Sequence, residues 1–182
     1  MSSGSRIAVR TAGLVALVLL ASPAELPAQR IRRSQEAWVR QKVADTWIDI
    51  HYRRPTARGR DLFGGIVPWG RPWTPGADSA TTISVSSAIR IEDQSLPAGT
   101  YAIWMIPDSA GPWTVILSKA QPVFHLPYPG EEQDQLRLQV TARTGDVMET
   151  LAYYFPRVDG AEATLVMHWG TTVVPMTIRA GP

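Results

Sequence analysis

The amino-acid sequence predicts an all-β fold, an antiparallel β-sandwich or jelly-roll-like domain. Three observations carry this. Apolar and polar residues alternate with period two through much of the chain. No segment has the spacing of a long amphipathic helix. Turn-forming clusters recur at intervals of roughly ten residues, the rhythm of a sandwich.

The chain opens with "MSSGSRIAVR", which carries Arg6 and Arg10 and no acid, followed by the apolar run "TAGLVALVLLA". This is the pattern of an export signal whose apolar core is too short to span a bilayer comfortably. Residues 1–28 are therefore read as a signal peptide cleaved after Ala28 in "ELPAQ", with Ala24 as the alternative site. A retained membrane anchor is the competing reading. The polar run "QRIRRSQE", residues 29–36, is expected to be a flexible lead-in, and residues 37–180 a single domain with no stable membrane span once the signal is gone.

Within that domain, "TWIDIHY" sets Ile48, Ile50 and Tyr52 on one face and Trp47, Asp49 and His51 on the other. "TTISVSS" does the same with Ile83 and Val85. "TYAIWMI" is apolar on both faces, as in a central strand, and the turn-rich "PDSAGP" pairs it with "WTVILS" as a hairpin. One helical turn is allowed in "GEEQDQLRL", after which Leu136, Leu138 and Val140 face inward. "TLAYYF", "ATLVMHW" and "TVVPMTI" complete a set of about eight to ten short strands. Pro175 lacks an N–H, so its strand belongs at an edge or at a bulge.

The exception is the stretch from Arg54 to Ala80, where no strand of useful length appears. Most of it lies in "GRDLFGGIVPWGRPWTPGADSATT", residues 59–82, which has five glycines, three prolines and two tryptophans. So long a loop in a compact domain is functional, an ordered Ω-loop, or disordered. Disorder would expose Leu62, Phe63, Ile66, Val67, Trp69 and Trp73 to water. Each buried ring contributes about 2 kcal/mol. An ordered flap pinned by its aromatics is the expectation.

The formal charge is +2, falling to +1 once Arg6, Arg10 and Glu25 leave with the signal. No basic stripe exists for a phosphate backbone, which argues against nucleic acid as a partner. The chain has no cysteine, which excludes disulfides, thiol chemistry and thiolate metal sites.

An ordered series of motifs runs through the domain: Tyr52, Arg54 and Pro55; Gly59-Arg60; Phe63-Gly64-Gly65; Val67-Pro68; Trp73; Gly76-Ala77; and Pro97-Ala98-Gly99-Thr100-Tyr101. From about Ala37 to about Arg179 the chain resembles DUF2911, a family of unknown function. The resemblance implies an exported, largely β bacterial protein and no particular reaction. Many members carry Arg after the tryptophan and Asn after Gly-Ala. This chain has Thr74 and Asp78 there, which weakens an anion-gripping role for the flap.

The residues that could carry chemistry are few. His51, His125 and His168 lack the spacing of a metal motif, so neither metal nor cofactor is expected. No Gly-x-Ser-x-Gly is present, and Ser79 and Ser109 read as turn residues. Asp61 and Asp78 flank the flap, and the adjacent Glu131 and Glu132 fall on a solvated loop. Arg54, Arg58, Arg60 and Arg71 cluster among aromatics; they can grip an anion, or tie the loop by donating to its unpaired carbonyls, the preferred reading. Of the seven tryptophans, Trp69 and Trp73 are the pair suited to a sugar platform, although packing beneath the flap is the simpler role.

The candidate ligand-binding set is thus Arg54, Arg60, Trp69, Trp73, Asp78 and His125. Three functions compete. The favoured one is a non-catalytic ligand- or glycan-binding module of the cell envelope, periplasmic or extracellular. The second is a hydrolase using His125 or His51 with Asp78, and the third a structural or protein-interaction module. The sequence leaves oligomeric state open. The deciding geometry is whether the candidate set lines one open hollow or interlocks.

Overall fold

A computed structural model describes residues 32–181; the predicted signal segment lies outside them. Among the described residues ten strands are present: β1 (Gln35–Val43), β2 (Thr46–Arg54), β3 (Thr82–Val85), β4 (Ile89–Ile91), β5 (Gln94–Leu96), β6 (Gly99–Ile106), β7 (Trp113–Ser118), β8 (Asp134–Val140), β9 (Arg143–Asp159) and β10 (Glu162–Ala180). One 3₁₀ turn, Glu131–Gln133, precedes β8 at the place where a helical turn was allowed. The strands form a six-stranded sheet, β1-β2-β3-β6-β7-β8, and a four-stranded sheet, β5-β4-β10-β9, with every pairing antiparallel. This is the predicted all-β sandwich. Among the described residues no helix is long and apolar enough to cross a membrane.

The inner faces meet in one apolar core. Ile48, Ile50 and Tyr52 of β2, Ile83 and Val85 of β3, and Leu136, Leu138 and Val140 of β8 all point inward, as the alternation predicts. From the second sheet come Leu151 and Tyr153 of β9 and Leu165, Met167 and Trp169 of β10. Tyr52 and Tyr153 meet edge to face at 4.9 Å. The Tyr153 backbone N–H also donates to the Tyr52 hydroxyl, 3.1 Å, which ties the sheets together.

Strand β6 is apolar on both faces for a definite reason. Tyr101, Ile103 and Met105 enter the inter-sheet core, while Ala102 and Trp104 pack outward with Ala80 and Ile116 in a second cluster. The segment between β7 and β8 lies over that cluster, with Val123 and Tyr128 packed on it. We call this segment the strap.

Several boundaries differ from expectation. The strand β1 begins at Gln35, inside the run expected to be flexible. Its edge position and its charged Arg40 and Lys42 hide the alternation of half-buried Ala37 and Val39. Strands β4 and β5 have three residues each, too few to show a period. "ATLVMHW" and "TVVPMTI" are one strand, β10, because the chain bulges at Gly170 (φ 60°) instead of turning. Pro175 follows the last pair with β9, Val173↔Arg143, and precedes the first with β4, Ile178↔Ile91. It sits where β10 passes from one neighbour to the other and no ladder N–H is needed.

Candidate functional site

The flap leaves β2, crosses to the other sheet and returns. After Arg54 it runs briefly beside β9: Leu151 N–H donates to the Pro55 carbonyl, 2.9 Å, and Ala57 N–H to the Glu149 carbonyl, 2.8 Å. It then folds on itself, with Ile66 N–H bonded to the Asp61 carbonyl and Val67 N–H to that of Leu62. Its return is fixed on β6 by reciprocal bonds between Trp73 and Met105, 2.8 and 2.7 Å. Many of its backbone groups are thus paired, some within the flap and others with remote strands, which is how a strandless segment meets the cost of burial.

Phe63 is the wedge. Its ring lies 4.9 Å from that of Trp113 on β7 and 6.2 Å from that of Trp169 on β10, so it touches both sheets. Trp73 and Trp69 close in at 5.8 and 6.2 Å. Such pairs contribute about 0.5–1.5 kcal/mol each beyond the area they bury. Gly64 follows with φ 86°, and a side chain there would strike the Trp69 indole. The Phe-Gly-Gly motif therefore lets the backbone pass close under Trp69.

The arginines tie the loop, as the structural reading expects. Arg54 Nε donates to the Leu151 carbonyl, 2.9 Å, clamping the sheets. Arg60 donates through Nε to the Ala57 carbonyl, 2.8 Å, and through Nη2 to that of Thr56, 2.7 Å. Between them the chain turns through Arg58 and Gly59, both at positive φ, 55° and 66°. The Arg58 N–H is held by Glu149 Oε1 at 2.6 Å. A left-handed non-glycine residue costs roughly 1–3 kcal/mol, which neighbouring bonds must offset.

Around this framework lie three hollows. The first, about 560 Å³, has Phe63 and Trp169 among its lining with a rim of Arg60, Asp61, Glu149 and Thr172. The second, about 400 Å³, lies beside the Asp108–Pro112 loop and Arg143. These two share Trp69 and Thr172, so Trp69, 41 % exposed, stands where they meet. The third, about 350 Å³, is lined by Arg33, Arg58 and Arg60 together with Trp73 and Trp169. Those two indoles stack at 6.0 Å and 14°.

The candidate set divides. Arg60, Trp69 and Trp73 line these hollows; Arg54, Asp78 and His125 line none of the three. Asp78 and His125 do come together, at the seam of flap and strap, but through the backbone. The His125 N–H donates to the Asp78 carbonyl at 3.0 Å, and Nδ1 lies 2.8 Å from the same oxygen. The Asp78 carboxylate faces Arg32 at 3.1 Å and Arg53 at 3.9 Å. His51 stacks on Trp38 and bonds Glu36 at 2.6 Å, and buried His168 bonds the Tyr154 hydroxyl and the Asp146 carbonyl. The side chains proposed for acid–base work are thus directed to other partners. Among the described residues no cluster of His, Asp and Glu is placed to hold a metal ion.

Sequence reasoning missed Arg33, taken as lead-in, and Trp169, which was not singled out. It also left Arg58, Asp61, Glu149 and Thr172 outside the candidate set. The Arg58-Gly59 turn had a local trace, since Gly at the second central position marks a tight turn. Glu149 had none, because its role depends on a backbone N–H far away in sequence.

The hollows combine ring faces with scattered donors and acceptors, chemistry that suits a hydroxyl-rich or charged small ligand. Comparison with the curated proteins and with the solved structures gives no match. A family model described as "Protein of unknown function (DUF2911)" matches residues 34–178, nearly all of the described chain, and the flap motifs that build the site fall inside the match. On that evidence the chain belongs to the DUF2911 family.

Proposed function

We propose that the protein is an exported β-sandwich module of the cell envelope that binds a short oligosaccharide across Trp69 without chemically altering it. One observation carries the reading: two hollows, about 560 and 400 Å³, meet at a half-exposed indole. Sugar rings present C–H faces that pack on an indole, while their hydroxyls bond polar rims. Arg60, Asp61, Glu149 and Thr172 offer such a rim on one side, and Asp108 and Arg143 on the other. Trp69 is therefore the ridge over which consecutive sugar units lie. The extracytoplasmic location rests on the N-terminal charge and apolar pattern.

The test is a screen of envelope oligosaccharides by glycan array, followed by calorimetry. Binding is expected in the weak range, and Trp69→Ala lowers affinity about 10-fold, the loss of one stacking contact. No binding by any envelope glycan, or a Trp69→Ala protein that binds as the parent does, overturns the reading. Product formation on prolonged incubation, read by mass spectrometry, would instead favour a hydrolase.

A further inference from the structure

We infer that the third hollow is an oxyanion site, built to take a carboxylate, sulfate or phosphate group on Arg33, Arg58 and Arg60. The inference goes beyond the oligosaccharide reading and does not depend on it. Three arginines line a hollow of about 350 Å³, and no aspartate or glutamate shares its lining. Among the described residues none of the three forms an ion pair, whereas Arg32, Arg40, Arg53, Arg137, Arg157 and Arg179 each have a carboxylate partner. Arg54, Arg71, Arg90 and Arg143 also lack an ion pair among the described residues, so what marks this hollow is the convergence of three arginines in one lining without a carboxylate side chain.

The three arrive by different routes. Arg33 precedes β1, whereas Arg58 and Arg60 flank the positive-φ turn at Gly59. The bonds of Arg60 to the Ala57 and Thr56 carbonyls hold its guanidinium in place and use only Nε and Nη2. The Glu149 carboxylate takes the Arg58 backbone N–H, so the turn is fixed from the β9 side without engaging the Arg58 guanidinium. The stacked indoles of Trp73 and Trp169 and the buried Val67 supply apolar lining. All three arginines are solvent-exposed, so an ion–guanidinium contact here is screened by salt and depends on ionic strength. Planar guanidiniums match the oxygens of a carboxylate or sulfate.

The two departures from the family pattern do not reach this hollow. Thr74 is fully buried, donating to the Ile103 carbonyl at 2.9 Å and accepting from Thr81 N–H at 3.1 Å. The Asp78 carboxylate is faced by Arg32 and Arg53. The weakening expected from these residues is therefore not seen in the lining of the site.

The conformation of Arg58 supplies a clean test. Asparagine adopts a left-handed turn position more readily than arginine, so Arg58→Asn keeps the turn and removes the guanidinium. Full-length mature protein is titrated with sodium sulfate, sodium phosphate, a uronate disaccharide and its neutral counterpart, with sodium chloride at matched ionic strength as the control, followed by thermal shift and calorimetry. The expected result is saturable stabilisation by at least one oxyanion above the chloride response. Affinity falls at least 10-fold in Arg58→Asn, whose ligand-free Tm equals or exceeds the parent's, and falls also in Arg33→Gln. Binding of the uronate alone assigns the site to an acidic sugar; binding of the inorganic ions as well assigns it to a general oxyanion. Trp69→Ala separates this site from the first two hollows, lowering oligosaccharide affinity while the sulfate or uronate response stays. A response to every oxyanion no larger than that to chloride, or parent-like affinity in both arginine variants, overturns the inference.

Discussion

The flap and the strap are both proline-rich, strandless coverings of the same sandwich, yet they are held in different ways. The flap inserts Phe63 between the two sheets, where it meets Trp113 from one and Trp169 from the other. The strap lies on the outer face of one sheet, where Val123 and Tyr128 cover a small cluster around Trp104. Its far end is tied by polar contacts: the Tyr128 hydroxyl, 2.6 and 2.7 Å from the two Asp134 carboxylate oxygens, donates to that carboxylate, and Arg137 reaches it at 2.9 Å. Burial and that carboxylate raise the Tyr128 phenol well above its ordinary range. The Trp104 indole N–H beneath the strap is buried with no acceptor, a cost that Trp169 of β10, which Phe63 of the flap packs against, avoids by donating to the Glu149 carbonyl at 3.3 Å. The comparison teaches that a wedge shared by two sheets can support open hollows around it, while a cover on one sheet mainly shields.

The largest effect separating the two is expected from Phe63→Ala. It removes a ring that contacts both sheets and should cost about 3 kcal/mol. Val123→Ala, at the strap, should cost about 1 kcal/mol. Equal losses in chemical denaturation would erase the distinction between wedge and cover. Limited proteolysis sharpens it: cleavage near residues 59–71 should appear in Phe63→Ala and be absent in Val123→Ala.

A smaller effect is expected from Tyr128→Phe, which deletes the hydroxyl's hydrogen bond to a carboxylate and should cost about 1–2 kcal/mol. Because the strap lines none of the three hollows, oxyanion and oligosaccharide affinities should stay within about 2-fold of the parent. A larger change in affinity would mean that flap and strap act as one unit.

The smallest effect concerns the β6–β7 turn, where the flap docks through Gly70 N–H on the Pro107 carbonyl, 2.8 Å. Asp108 accepts from the Ala110 and Gly111 N–H groups at 2.8 and 2.7 Å, and these bonds hold its carboxyl below the usual range. A carboxyl that ionises at lower pH when folded stabilises the fold above its unfolded value, about pH 4, and loses that contribution as pH falls through the folded value. Parent protein should therefore melt above Asp108→Ala at neutral pH, and the gap should narrow below about pH 4. A gap independent of pH would show that the carboxylate charge plays no part in the turn.

Much of the fold was legible because its signals are local. The inward faces of β2, β3 and β8 follow from alternation within each strand, and the apolar burden of residues 62–73 required an ordered flap. The site was less legible. Trp69, Trp73 and Arg60 could be singled out by type and position, but Asp78 and His125 share only a backbone carbonyl, and Arg33 sat in a run that looked like linker. The length of β10 was hidden by a bulge at Gly170 that resembles a turn in sequence.

By itself the sequence determined the β class, the buried face of most strands and the need to bury the flap's rings, since period and hydrophobicity act between near neighbours. Only the tertiary structure decided which side chains converge. That depends on where the flap bends, and its bends are set by bonds to Glu149, Met105 and Pro107, groups distant in the chain that leave no periodic mark near Arg58 or Phe63.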